Sequence, residues 1–93
     1  MTSLLQMVEK ELKIPKAKLL EEGIRHFLST ELRNLAIEIK KRGRRYGVDS
    51  FEGLWRKLES GEVTEDECFD DLSRLEYLEL EKEKITRLLK KAG

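Results

Sequence analysis

The chain has little of what catalytic and metal sites are most often built from, because its 93 residues include one cysteine and one histidine. The single cysteine, Cys68, excludes an internal disulfide and leaves no cysteine-based zinc site. His26 has no second histidine and no nucleophile motif to act with. Asp70 and Asp71 are adjacent, but acidic residues are ordinary early in a helix. We therefore expect no catalytic residue, metal ion, cofactor or small-molecule substrate, and no enzymatic activity.

Long apolar runs are also missing. No stretch of 18 apolar residues is present, so no membrane span is predicted. The amino terminus lacks a basic region followed by an apolar segment, so no secretory signal is predicted. We expect a cytoplasmic protein that has no membrane partner.

Proline, glycine and aromatic residues are scarce, with one proline, six glycines and 6% aromatics. Valine and threonine, which favour strands, are few. A chain rich in Leu, Glu, Lys and Arg with helical periodicity is typical of long helices, so we predict an all-α fold. Nineteen basic residues balance nineteen acidic ones, and this zero net charge removes the simplest argument for nucleic-acid binding.

The stretch Leu19–Tyr46 organises the rest of the chain. It is long enough for about seven helical turns. Its residues at spacings of three and four form one narrow stripe, and these are Leu28, Leu32, Leu35, Ile39, Arg42 and Tyr46. Such a stripe needs a partner helix to cover it.

Two helices are predicted in the first half of the chain. The first begins at Thr2 or Ser3 as the N-cap and ends near Lys13. Pro15 starts the second, because proline suits a first turn and disfavours helix in the residue before it. The second helix is predicted to end between Gly43 and Gly47.

Gly23 lies inside this second helix, where glycine weakens a helix by roughly 1 kcal/mol relative to alanine. Two interpretations stay open for it: either another helix approaches closely there, or the glycine is simply tolerated.

The second half of the chain predicts two more helices. A short one starts at Asp49 or Ser50, with Asp49 and Glu52 as a capping box, and ends near Glu59. The last runs from the capping box of Thr64 and Glu67 to about Lys91. Its main stripe repeats at spacings of three and four and consists of Leu75, Leu78, Lys82, Ile85, Leu89 and Ala92. Three further apolar residues widen this stripe, and these are Phe69, Leu72 and Leu88.

The two long helices predict an antiparallel hairpin, with the short helix folded across its closed end. Helix lengths set a register in which Leu32 faces Leu78 and Leu35 faces Leu75. This register places the basic run 40–45 opposite the acidic start of the last helix, 65–71. It also places Glu21 and Glu22 opposite three cations, Arg87, Lys90 and Lys91. Opposite charges favour this pairing. The whole chain, 1–93, is predicted to be one helical domain.

The basic run has two interpretations. Its side chains are candidates for contact with nucleic-acid phosphates, and these are Lys40, Lys41, Arg44 and Arg45. The alternative is a solvated helix end that pairs with the acidic start of the last helix. No aromatic residues interleave for base stacking, which favours the alternative.

A thin hairpin leaves apolar positions uncovered, and aromatic residues are frequent interface anchors. We predict that a partner protein is contacted by five residues of the last two helices: Phe51, Leu54, Trp55, Tyr77 and Leu80. Tyr77 and Leu80 are chosen because they lie off the main stripe.

The segment 4–28 resembles the helical half of ribbon-helix-helix proteins. Its first helix ends at KIP, and the next carries KAKLLEEGIRHFL, with a leucine, then Gly-Ile, then an aromatic residue and leucine. The remainder, from KRGRRYGVDSFEGLW through EDECFDDLSRLEYLELEKEKI, is similar to the C-terminal region of small archaeal antitoxins of the VapB type. In such families the N-terminal half dimerises and binds operator DNA, and the C-terminal half wraps a toxin, often a ribonuclease.

The resemblance implies a homodimer made by residues 1–30 and a toxin-binding hairpin made by residues 31–93. The dimer contacts would come from Leu5, Val8, Leu12, Leu20, Ile24 and Phe27. The DNA-reading strand of ribbon-helix-helix proteins has no counterpart, because three residues precede the first helix. Operator binding by the usual route is therefore not expected, while dimerisation and toxin neutralisation are. The alternatives are a self-associating structural module and a weak nucleic-acid binder that uses residues 40–45.

Overall fold

A computed structural model describes residues 3–92, which form four α-helices and no strand within that range. The helices are α1 (Leu4–Leu12), α2 (Lys16–Arg44), α3 (Phe51–Glu59) and α4 (Glu65–Ala92). Helices α2 and α4 form an elongated hairpin, and the molecule measures 62 × 26 × 18 Å. The predicted all-α fold with a helical hairpin is confirmed.

Local capping explains where three helices begin. Ser3 caps α1 in a capping box with Gln6; the alternative cap, Thr2, lies outside the described residues. The predicted box of Thr64 and Glu67 at the start of α4 is confirmed by reciprocal bonds of 3.3 Å. The predicted box of Asp49 and Glu52 is wrong.

At α3 the cap is Ser50, whose hydroxyl accepts from the backbone N–H of Gly53 at 3.1 Å. Glu52 instead accepts from Arg56, one turn further on. With Ser50 as the N-cap, the residue three positions on is Gly53, which has no side chain to complete a capping box.

The turn after α2 is set by two glycines. Gly43 is buried, and a Cβ placed there would lie 2.2 Å from the carbonyl oxygen of Val48. The N–H of Val48 donates to the carbonyl of Gly43 at 3.0 Å, so the chain folds directly back over the helix end. Gly47 follows with a left-handed φ of 69°, as the sequence predicts for a helix stop.

Two interhelical ion pairs define the hairpin. Arg42 pairs with Asp71 at 3.0 Å, and Arg74 pairs with Glu38 at 3.2 Å. Asp71 pairs with the later residue of α2 and Arg74 with the earlier one, so the two helices run antiparallel. The predicted register, with Leu35 facing Leu75, is confirmed to within one turn. The ion pairs that the register allows between Glu21 or Glu22 and α4 are not formed within residues 3–92.

The buried core lies at one end of the hairpin, where α3 covers α2 and α4. Its members are Ile39, Leu54, Cys68, Leu72, Leu75 and Leu78. We call residues 35–78 the closed end. The open end comprises α1, residues 16–28 of α2 and residues 85–92 of α4. In α1 no described side chain is buried, and the last buried residue of α4 is Leu78. None of the helices within residues 3–92 combines the length and apolarity that crossing a bilayer requires.

Candidate protein-interaction surfaces

A charged cluster ties the closed end together around the buried carboxylate of Asp71. This carboxylate accepts from Arg42 at 3.0 Å, from Arg45 at 3.4 Å and from the hydroxyl of Tyr46. Three donors offset the cost of taking the charge out of water. We call Arg42, Arg45, Tyr46 and Asp71 the Asp71 cluster.

Within this cluster, the environment of Tyr46 shifts the pKa of its hydroxyl. Burial, and then its hydrogen bond to the negative Asp71, raise the pKa of Tyr46 to about 12. The hydroxyl also lies 3.2 Å from the carbonyl of Glu67. Tyr46 therefore keeps its proton and works as a donor that clamps the end of α2 onto α4.

Cys68 lies beside the cluster and is fully buried. Burial, and then the negative Glu67, raise the pKa of its thiol. A buried thiol with a raised pKa is a poor nucleophile, so Cys68 serves as a core residue. Within residues 3–92, no three His, Cys, Asp or Glu side chains are placed to hold a metal ion together.

The basic run 40–45 is divided by the fold. Arg42 and Arg45 bind Asp71, as the helix-end interpretation predicts. Lys40, Lys41 and Arg44 are exposed and have no ion pair within residues 3–92. Three of the four residues named as phosphate contacts are therefore available to bind a polyanion. The fourth, Arg45, is already paired with Asp71.

An aromatic pair lies on the exposed side of α3. Trp55 is 43% exposed and stacks on Phe51, with ring centroids 6.2 Å apart. Phe51 is half-buried and packs on the core. Leu54, which the sequence analysis placed on the same surface, is fully buried, so it is removed from the candidate contacts. Its position on the inner side of α3 makes it the residue that holds the helix in place.

A groove beside this pair is a feature that sequence reasoning missed. It has a volume of about 730 Å³ and opens between the start of α3 and the second half of α4. Phe51 and Leu80 both line it, so two of the predicted contacts share one concave surface. Its floor is fixed by the carboxylate of Glu79, which accepts from the backbone N–H of Phe51. Phe51, Trp55 and Leu80 form what we call the aromatic patch.

Tyr77 is half exposed, but it does not line the groove. The guanidinium of Arg74 lies over its ring, 5.1 Å from the centroid. Tyr77 is therefore an exposed aromatic residue beside the patch, held by a cation–π contact.

The open end carries a second apolar surface. Four of the residues predicted to make the dimer are strongly exposed: Leu12, Leu20, Ile24 and Phe27. Leu5 and Val8, the other two, are half-buried. Within residues 3–92 nothing lies within 4 Å of a Cβ built on Gly23, so a close approach by a helix of the same chain is ruled out.

Several further apolar side chains of α1 and α4 are exposed. They are Leu4, Met7, Phe69 and Leu88. Phe69 and Leu88 were predicted to widen the buried stripe of α4, and that prediction is wrong. Phe69 and Leu88 lie next to the more buried Cys68 and Leu89, and a hairpin of two long helices covers only a narrow strip of each helix.

The sequence model of the family described as "Uncharacterized protein MJ0235 family" matches residues 1–92. The protein described as "Uncharacterized protein MJ0235" from Methanocaldococcus jannaschii is 32% identical over 73 residues. The alignment covers 78% of this chain and 89% of that protein. No solved structure matches the chain.

Proposed function

We propose that this chain, which belongs to the MJ0235 family, is a non-enzymatic binding protein that self-associates through its open end and binds a second protein through its aromatic patch. The observation that carries the proposal is the amount of apolar side chain left exposed at two separate places. Large contiguous apolar patches on a small chain are typical of protein–protein contacts.

The open end supports the self-association half of the proposal. Ile24 and Phe27 are 57% and 61% exposed, and Leu20 is 47% exposed. These three residues lie on one helix, and covering them with apolar surface would contribute about 25 cal/mol per Å². Zero net charge means that one copy does not repel another over long distance.

The aromatic patch supports the second half. Trp55, stacked on Phe51, offers a flat and pre-ordered anchor of the kind enriched at the centre of interfaces. Leu80 adds an apolar side chain to the lining of the groove that Phe51 also lines. The groove is open to solvent, which suits a helix or extended segment of another protein.

The more specific form of the proposal is an antitoxin, and it rests on the resemblance to VapB-type proteins. On this view the second protein is a toxin, and ribonucleases are frequent among toxins of that family. The relative from Methanocaldococcus jannaschii is archaeal, which agrees with the archaeal origin that the resemblance implies. Operator DNA is not part of the proposal.

Co-expression with the protein encoded by the adjacent gene tests the toxin-binding function. We expect that protein to slow growth when expressed alone and growth to recover when this chain is present. The complex should elute as one species, with a mass measured by light scattering. Absence of growth inhibition, or inhibition that this chain does not relieve, contradicts the antitoxin proposal.

A matched pair of variants then tests whether the aromatic patch is the surface that binds the second protein. Trp55→Glu combined with Leu80→Glu should abolish the complex and the growth recovery. Ile37→Glu is the control, because Ile37 is a similarly exposed apolar side chain of α2 outside the patch. Loss of binding in the control, or retained binding in the double variant, contradicts the assignment to the aromatic patch.

A second candidate function, nucleic-acid binding, is favoured by the exposed Lys40, Lys41 and Arg44. Phosphate contacts weaken steeply with salt. A gel shift with duplex DNA and with RNA at about 50 mM salt should show a complex that fades by about 200 mM. No shift at the lower concentration eliminates this candidate. Self-association without any partner protein would support the third reading, a structural helical module.

A further inference from the structure

The exposed face of α2 at the open end has a regular composition. Leu20, Gly23, Ile24 and Phe27 follow one another at spacings of three, one and three, which places them on one side of the helix. The three apolar side chains are about half exposed or more, and nothing within residues 3–92 approaches the glycine. We call these four residues the α2 stripe.

The α2 stripe has a property that most apolar faces lack, because it is complementary to itself when reversed. When two copies of the stripe are aligned in opposite directions, each position of one copy faces a defined position of the other. Leu20 corresponds to Phe27, and Ile24 corresponds to Gly23. A glycine lets two helix backbones approach closely, and the β-branched Ile24 fits the space that its missing side chain leaves.

We propose that the α2 stripe packs antiparallel against the α2 stripe of a second copy, about a two-fold axis that passes between Gly23 and Ile24. Each Ile24 lies over Gly23 of the partner subunit, and each Leu20 lies against the partner's Phe27. Such an interface is isologous, as most homodimer interfaces are. The inference rests on the self-association in the proposed function and specifies its geometry.

Charge supports a second copy as the occupant of this surface. The same pairing brings Lys16 opposite Glu31 of the partner subunit at both ends of the stripe. Neither residue has an ion pair within residues 3–92. They lie about 22 Å apart along their own helix, so they cannot pair within one chain. A parallel pairing would set Lys16 beside Lys16 and Glu31 beside Glu31, and it would leave Ile24 facing Ile24 instead of glycine.

Gly23→Ala tests the dimer interface without disturbing the fold of a single chain. The new methyl group meets no atom of its own chain within 4 Å, and alanine favours the helix. In the dimer the methyl group enters the space occupied by Ile24 of the partner subunit. We expect sedimentation equilibrium to show at least a tenfold higher dissociation constant, with helical circular dichroism at high dilution equal to or above that of the wild type.

Ser29→Ala is the matched control for helix propensity. Ser29 is exposed on α2 but lies outside the stripe. It should leave the dissociation constant unchanged. Equal dissociation constants for Gly23→Ala and the wild type would overturn the proposed packing.

Charge reversal tests the direction of pairing. Lys16→Glu and Glu31→Lys should each raise the dissociation constant severalfold, and the double variant should restore it, because only the exchanged pair is complementary across the axis. Failure of the double variant to recover overturns the antiparallel register.

Spin labels give the geometry directly. Labels at Glu22→Cys and Arg33→Cys lie off the stripe, and the buried Cys68 stays unlabelled. The axis between Gly23 and Ile24 predicts axial offsets between identical labels of about 4.5 Å at position 22 and about 28 Å at position 33. A parallel dimer gives equal distances at the two positions and overturns the proposal.

The outcomes distinguish this inference from the proposed function. A wild-type chain that stays monomeric at all concentrations overturns both the inference and the self-association half of the function. A dimer with equal label distances, or one insensitive to Gly23→Ala, overturns the inference alone. Growth recovery with the adjacent gene product depends on the aromatic patch and is measured independently of either result.

Discussion

The two ends of the hairpin have the same kind of sequence and opposite packing. At the closed end, α3 lies across α2 and α4 and buries six apolar side chains beside the Asp71 cluster. At the open end, α1 is the third helix, and no described side chain of it is buried. Apolar helix faces are thus covered at the closed end and exposed at the open end.

This difference shows that apolar residues at spacings of three and four predict a helix with one face that must be buried. They do not predict which element packs on that face. At the closed end the covering element is a segment of the same chain. At the open end none of the elements within residues 3–92 covers the stripe, which is why we infer a second copy there.

The largest contrast is expected for leucine truncation. Leu75→Ala removes a fully buried side chain of the closed end and should lower the free energy of unfolding by about 2–5 kcal/mol. Leu88→Ala removes a half-exposed side chain of the open end and should cost less than about 1 kcal/mol. Urea unfolding at low protein concentration measures both. Similar losses for the two variants would mean that the open end is packed as tightly as the closed end.

Replacing glycine by alanine should have opposite effects on the free energy of unfolding at the two ends. Gly43→Ala forces a methyl group to within 2.2 Å of the carbonyl oxygen of Val48, and we expect a loss of about 1–3 kcal/mol. Gly23→Ala meets open space and should stabilise the dissociated chain by about 0.5–1 kcal/mol. Thermal unfolding at high dilution compares them. A stabilising Gly43→Ala would show that the turn after α2 is looser than described.

The Asp71 cluster should make the stability of the closed end fall at high pH. The pKa of Tyr46 is near 10 in an unfolded chain and about 12 in the fold. The unfolded chain therefore releases this proton first, and the contribution is complete below pH 10 and lost as the pH rises towards 12. Solvent screening limits the expected loss to about 1–2 kcal/mol.

Tyr46→Phe isolates this effect. The variant should be less stable than the wild type below pH 10, and the difference between them should shrink as the pH approaches 12. Denaturant unfolding at pH 8, 10 and 11.5 provides the comparison. A difference that does not depend on pH would contradict the role of the hydroxyl proton.

The smallest effect is expected at the exposed edge of the same cluster. The side chain of Arg45 is 72% exposed and lies 3.4 Å from Asp71, whereas that of Arg42 is 36% exposed and lies at 3.0 Å. Arg45→Ala should cost about 0.5 kcal/mol or less, because exposed ion pairs contribute little. Arg42→Ala should cost more. The reverse order, measured by urea unfolding, would show that Arg45 is the main partner of Asp71.

Much of the fold was predictable because it depends on local signals. Gly47, Pro15 and the box of Thr64 and Glu67 fix the ends of helices through backbone geometry that the sequence shows directly. The hairpin and its register followed from two stripes on helices of similar length, and the opposite charges on the facing helices agreed with that pairing.

The parts that sequence reasoning missed depend on tertiary packing. Leu54 and Trp55 are neighbours on a nine-residue helix, and only the placement of α3 decides that Leu54 is fully buried while Trp55 stays exposed. Asp71 was placed opposite the basic run, but its burial depends on three donors that converge from α2 and the turn after it. The groove had no signal in the sequence, since its lining residues come from three helices.

Amide hydrogen exchange at two protein concentrations, one above and one below the dissociation constant, tests the central claim most directly. If a second copy covers the open end, amides of residues 16–31 exchange more slowly at the higher concentration, while those of residues 35–78 are equally protected at both. Protection at residues 16–31 that does not change with concentration would contradict the account.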